Sequence, residues 1–178
     1  MDGAEGKKTD QNPIVIVPGI MASRLSRVPG VYDGSAVAWP SWVPPSGSET
    51  LYVRPCENQN TDPRRPEDGS TVRTYGREYG TLNYYRVLVD SLCDAFSAVD
   101  PETYRPVYFF SYDWRYSCEK TAETLREAIL RILEETGSAE ADIVCHSMGG
   151  IVVSTYLSFF DGDDRVGTII SCGTPYEG

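Results

Sequence analysis

Four short, almost unbroken apolar runs constrain this chain more than any other feature. They lie at 13–17 (PIVIV), 106–112 (PVYFFSY), 142–145 (DIVC) and 166–172 (VGTIISC). A strand with one face in water alternates polar and apolar residues. A continuous apolar run of this length is what a strand covered on both faces requires. Between the runs the period changes. Leu82, Tyr85, Val89, Leu92 and Phe96 recur at helical spacing, with Thr81 as the expected N-cap. Over 119–136, Ala122, Leu125, Ile129 and Ile132 form one apolar stripe, Glu119 sits in the first turn, and Gly137 supplies the stop. A further helix is expected over 149–160. Strands alternating with helices of this length imply right-handed crossovers and a mostly parallel sheet with helices on both faces, the α/β class.

The 178 residues fit one domain, and charge narrows its partners. Sixteen Lys and Arg against twenty-six Asp and Glu leave a formal net charge of −10. No basic run exceeds two residues, so nucleic acid is not an expected partner. No phosphate-binding glycine loop follows any of the strands. No segment approaches the ~20 apolar residues that span a bilayer, and the polar N-terminus lacks the apolar stretch of a signal peptide. The expected location is therefore soluble and cytoplasmic by default. No metal or organic cofactor is implied. Residues 1–12 read as a flexible lead-in, and 13–178 as the structured part. Within it, residues 28–80 are rich in proline and glycine with scattered aromatics, an irregular excursion of the kind that forms lids or binding loops. Of the five cysteines, Cys145 and Cys172 end apolar runs and are expected to be buried free thiols. Cys56, Cys93 and Cys118 are either free or disulfide-bonded among themselves.

Chemistry concentrates in Asp142-Ile143-Val144-Cys145-His146-Ser147-Met148-Gly149-Gly150. A strand runs straight into a small-x-Ser-x-Gly turn and then a helix, the context of a nucleophile elbow. Such a turn is tight enough to hold Ser147 in strained backbone and lift its hydroxyl above the carboxyl edge of the sheet. Small residues two places either side let strand and helix approach. Gly149 meets that need, and Cys145 stands where glycine is usual. The helix N-terminus favours a developing oxyanion. His146, adjacent in a tight turn, points away from the Ser147 hydroxyl and is expected to pack behind the elbow rather than act as its base. The loop after the first strand, in Ile14 to Ala22 (IVIVPGIMA), is placed to supply one oxyanion amide from Ile20, with the second from Met148.

The chain resembles an α/β-hydrolase of the lecithin:cholesterol acyltransferase-like branch, which includes lysosomal phospholipases and phospholipid:diacylglycerol acyltransferases. The resemblance rests on Val17-Pro18-Gly19-Ile20-Met21, Tyr112-Asp113-Trp114-Arg115, Cys145-His146-Ser147-Met148-Gly149-Gly150 and Gly173-Thr174-Pro175-Tyr176-Glu177-Gly178, in matching order and spacing over about 13–178 and poorly across 30–70. It implies a serine-dependent hydrolase or O-acyltransferase acting on a lipid or other acyl ester. Ser147 would be the nucleophile, and the Ile20 and Met148 amides would line the oxyanion hole. Asp113 and Arg115 would anchor the end of their strand, and the excursion would stand in the place of a lid. Arg73, Arg77 and the tyrosine-rich stretch 75–85 would be structural. Trp39, Trp42 and Pro44-Pro45 suit an acyl groove or peripheral lipid-surface contact, and equally suit anchors for an otherwise coreless loop.

The resemblance also implies a triad Asp and His beyond Gly178. No histidine follows Ser147, and Asp161, Asp163 and Asp164 lie in a loop where that pattern places no catalytic acid. Without a base a serine hydroxyl is a weak nucleophile. The strand at 166–172 would form an exposed edge. These points lead to the expectation of an N-terminal fragment of a longer enzyme. The alternatives are a non-catalytic lipid-binding or interaction remnant, and half of a split enzyme completed by a second chain.

Overall fold

A computed structural model describes residues 11–23, 25–26, 37–39, 84–97, 105–160 and 162–178. At its centre is a parallel sheet of four strands: β1 (Ile14–Val17), β4 (Val107–Phe109), β5 (Ala141–His146) and β6 (Val166–Cys172). Two very short strands, β2 (Leu25–Ser26) and β3 (Val37–Trp39), pair antiparallel with each other. The excursion is thus not wholly irregular, since Trp39 has its backbone opposite Leu25. The helices are α1 (Tyr84–Ser97), α2 (Cys118–Thr136) and α3 (Met148–Phe159), followed by a 3-10 turn at Gly162–Arg165 that includes Asp163 and Asp164.

The strand order is β4-β1-β5-β6. Ile14 lies between Val107 and Asp142 in register, and Val17 pairs with Cys145. The apolar run of β1 explains its central place, because all four of its residues are buried. Ile14 and Ile16 face one side and pack with Val107 and Phe109 against Val89, Leu92 and Phe96 of α1. Val15 and Val17 face the other, with Tyr108, Phe110, Ile143 and Cys145, under α2 and α3. Helices therefore cover both faces, as the unbroken apolar strands require.

α2 follows the expected stripe closely. Thr121, Ala122, Leu125, Ala128, Ile129 and Ile132 are buried. Ser117, which sequence reasoning passed over, is its N-cap and accepts the Lys120 N–H at 3.3 Å. Gly137 adopts φ 69° and donates its N–H to the Leu133 carbonyl, the left-handed stop that glycine makes without strain. α1 is described from Tyr84, so the expected cap Thr81 lies outside the described residues.

Two expectations need correction. The strand expected over 106–112 ends at Phe109. The Phe110 amide still donates to Ile16, but the Tyr112 amide turns away to the Ser23 hydroxyl at 3.1 Å. Cys172 is exposed rather than buried, because β6 is the sheet's edge and its residues carry little cover; Ile170 is 54% exposed. Cys145 is fully buried as expected, and Cys93 and Cys118 carry free thiols. Cys56 lies outside the described residues.

The amino end of the sheet is tied by one carboxylate. Asp142 forms an ion pair with Arg105 and accepts from the Thr168 amide at 2.9 Å and the Asn12 side chain at 3.2 Å. Arg105 also donates to the Asn12 carbonyl and lies over the Phe96 ring. One group thus links the entries of β1, β4, β5 and β6. The pair is only about one-fifth exposed, so removing the carboxylate strands a guanidinium and an amide. Asp142→Ala is expected to cost about 1–3 kcal/mol, read as a lower urea midpoint with unchanged slope.

The carboxyl end is held by a buried tyrosine. The Tyr112 hydroxyl donates to the Pro18 carbonyl at 2.8 Å, and burial pushes its pKa well above the ordinary value of 10.0. The folded chain keeps this proton where the unfolded chain releases it. The associated stability is present below pH 10 and is lost as pH climbs above it. Tyr112→Phe is expected to be less stable than wild type near pH 8, with the gap narrowing by pH 11; thermal melts at both pH values check this.

Candidate functional site

The sheet places two loops side by side. β1 and β5 are parallel neighbours, so their carboxyl ends emerge together. The chain leaving β1 leads to α1 on one face, and the chain leaving β5 enters α3 on the other. Adjacent strands whose connections diverge to opposite faces open a crevice at their carboxyl ends. The loop at 18–22 and the turn at Ser147 meet there.

Ser147 has φ 53° and ψ −127°, one of two non-glycine residues with positive φ among the described residues; the other is Met21 at 63°. A side chain in that region is strained and is held only by its surroundings. Here the hold is visible. The Ser147 amide donates to the Cys172 carbonyl at 3.0 Å, and its carbonyl accepts from Gly150 at 3.0 Å. The Ser147 side chain makes no capping bond to α3. Its hydroxyl therefore stands half-buried at the helix N-terminus without being spent on it.

The small residues at the turn have definite reasons. A Cβ on Gly149 would come within 2.5 Å of the Pro18 carbonyl oxygen. One on Gly150 would come within 2.6 Å of the Thr174 methyl. One on Gly19 would lie 3.0 Å from the Ser147 Cβ and 3.3 Å from His146 Nδ1. The three glycines thus let α3, the loop after β1 and the turn after β6 close onto Ser147. Cys145 fits two places before because its side chain points into the core, its Sγ 3.7 Å from the Ile170 carbonyl. Burial pushes its thiol up, away from reactivity.

Met148 follows Ser147 directly, and Ile20 follows Gly19, where a Cβ would lie 3.0 Å from the Ser147 Cβ. In the first loop the Gly19 N–H is spent on the Tyr85 hydroxyl at 2.9 Å, and the Ala22 N–H on the Gly19 carbonyl at 3.3 Å. The Ile20 amide lies between them, and its side chain is 52% exposed. Met148 opens α3, where the first amides have no acceptor within the helix. The N-terminus of α3 beside the Ser147 hydroxyl favours negative charge there.

His146 sits differently from the expected packing role. It is exposed, its Nδ1 lies 2.5 Å from the Tyr85 hydroxyl, and its ring meets that of Tyr85 edge-on. Tyr85, placed among structural residues by sequence reasoning, thereby joins α1 to both loops of the site. Nothing short of the packed sheet and helix reveals that.

Asp113 and Arg115 form a local clamp. Asp113 is 3% exposed and accepts from the Arg115 amide at 3.1 Å, from its Nε at 2.8 Å, and pairs with its Nη2 at 2.5 Å. Trp114 donates to the Ser23 carbonyl at 3.2 Å. This turn holds the far end of the 18–23 loop. Thr174 and Tyr176 both bond the Ser171 hydroxyl, closing the turn after β6. Of the remaining candidates, Trp42, Pro44, Pro45, Arg73 and Arg77 lie outside the described residues, and Trp39 contributes backbone in β3. Among the described residues no group of His, Cys, Asp and Glu is arranged to hold a metal ion, and no helix is long and apolar enough to cross a membrane.

The family model for the alpha/beta hydrolase fold matches residues 63–177, well over half of the 178. That span includes α1, the Tyr112 to Arg115 turn, the Ser147 turn and β6. The sheet order, the helices on both faces and this match agree, and the chain belongs to the alpha/beta hydrolase fold family, whose membership suggests a hydrolase-type function.

Proposed function

We propose that this protein is a serine-dependent acyl-ester hydrolase or O-acyltransferase of the lecithin:cholesterol acyltransferase-like branch, acting on lipid esters. The observation that carries the reading is the backbone of Ser147. A non-glycine residue at φ 53°, between a buried strand and a helix, pays for strain that presents its hydroxyl. In the proposed reaction the Ser147 Oγ bonds to the ester carbonyl carbon, and its proton passes to a base. The Ile20 and Met148 amides take the negative charge on the carbonyl oxygen. The alcohol leaves with a proton, and the acyl group stays on Ser147 until water or a second alcohol removes it. Trp39 and Trp42 are the candidates for acyl-chain or lipid-surface contact.

The base is not His146 in this reading. It is the chain's one histidine, and its Nδ1 is engaged by Tyr85. The proton acceptor and its acid partner are taken from outside these 178 residues, on continuing chain or on a second polypeptide. Loss of a triad member costs roughly 10⁶-fold in kcat, so the 178 residues alone are expected to turn over very slowly.

The test is covalent labelling with an alkyl fluorophosphonate. Mass spectrometry is expected to find the adduct on Ser147, slowly in the chain alone and much faster when the missing base is supplied. Ser147→Ala is expected to abolish it. An adduct that persists in Ser147→Ala, or a Ser147 that stays unmodified with and without the complementing segment, overturns the reading and favours the non-catalytic lipid-binding alternative.

A further inference from the structure

We infer that Tyr85 is a positioning residue for the oxyanion side of this site, its hydroxyl fixing the Pro18–Gly19 peptide, which leads into the Ile20 amide, against Ser147. The inference rests on the reading that the Ile20 amide serves the reaction. Its physical basis is a conflict at Gly19. A side chain there is excluded, since its Cβ would sit 3.0 Å from the Ser147 Cβ. Yet glycine is the residue least able to fix its own backbone. The Gly19–Ile20 peptide is tied on its far side by the Ala22 N–H on the Gly19 carbonyl at 3.3 Å, and the Pro18–Gly19 peptide that leads into it has to be set from outside.

Two tyrosines from different elements do this. Tyr112, past the end of β4, donates to the Pro18 carbonyl at 2.8 Å. Tyr85, in the first turn of α1, accepts the next amide, Gly19 N–H, at 2.9 Å. The Tyr85 hydroxyl also lies 2.5 Å from His146 Nδ1. The hydroxyl therefore ties the loop after β1 to the residue immediately before Ser147. Its position is itself well determined. The ring packs on Phe109 at 5.6 Å and edge-on to His146 at 5.8 Å, and the next turns of α1 bury Val89, Leu92 and Phe96 in the core. Burial also raises the pKa of Tyr85 above its ordinary value of 10.0, so the O–H stays intact through neutral pH.

The experiment uses the full chain, ¹⁵N-labelled, as wild type and as Tyr85→Phe, which keeps the ring and removes the hydroxyl. Amide exchange is followed at Gly19 and Ile20. The fluorophosphonate reaction at Ser147 is resolved into a binding constant and a maximal rate. Tyr85→Phe is expected to speed exchange at the Gly19 amide by about tenfold or more. It is expected to lower the maximal labelling rate about tenfold, with the binding constant within twofold and the melting temperature within a few degrees. A merely structural tyrosine would move the melting temperature and leave the rate alone. Unchanged exchange and an unchanged labelling rate overturn the inference. If wild-type Ser147 does not label with or without the complementing segment, the functional reading falls, while the exchange at Gly19 still decides whether Tyr85 sets the loop. Should Tyr85→Phe fail to fold, His146→Ala removes the hydroxyl's side-chain partner and is read in the same two ways; unaltered exchange at Gly19 likewise counts against the inference.

Discussion

The site depends on how closely the first turn of α3 approaches the end of β1. Gly149 is packed on the Val17 and Pro18 carbonyls with no room for a methyl group. That approach brings the loop after β1 within van der Waals reach of Ser147 and makes the positive φ of Ser147 tolerable, because strand, turn and helix have nowhere else to go. Widen it enough to seat a Cβ, which would otherwise lie 2.3 Å from the Val17 carbonyl oxygen, and the Gly19 contact with Ser147 opens.

Close packing alone leaves the loop's peptide planes free to turn, and the polar contacts remove that freedom. Pro18 and Gly19 are consecutive, and each offers one backbone group to a tyrosine hydroxyl from a different element. Ser23 is gripped by the backbone of Tyr112 and the indole of Trp114. The Asp113–Arg115 clamp then keeps that turn in shape. Each bond contributes only about 1 kcal/mol net, but leaving a buried donor unmet costs more than making it gains. The network specifies one loop conformation more than it stabilises the fold.

Much of this was legible in the sequence, and for identifiable reasons. The runs at 13–17 and 142–145 are apolar on both faces, so their central place in a parallel sheet followed from burial alone. The α2 stripe and Gly137 carry the helical period and its stop. Ser147 and Gly149 announce themselves because a sharp strand-to-helix turn admits few residue types. Contacts between distant elements left no such trace. Tyr85 reads as one more apolar position on α1, and only the packed helix brings its hydroxyl to Gly19 and His146. His146 looked like packing behind the turn because sequence adjacency says nothing about which neighbour occupies the crevice. Cys172 ends a run as apolar as that of Cys145, but one strand is flanked and the other is an edge. Burial of an apolar run depends on the neighbour beside it, which the run itself does not encode.

The support of Ser147 is therefore uneven, and this has a physical consequence. On one side its turn rests on β1 and α3, whose residues are among the most buried in the protein. On the other its amide hangs from the carbonyl of Cys172, at the end of an edge strand with exposed isoleucines. Local opening follows the weaker support, since edge strands with few buried contacts open at lower free energy than the core. Cover over the outer side of β6 would stiffen the bond from Ser147 to Cys172, and with it the strained backbone that aims the hydroxyl. The fold thus couples the order of its edge strand to the geometry of its candidate nucleophile through a single backbone hydrogen bond.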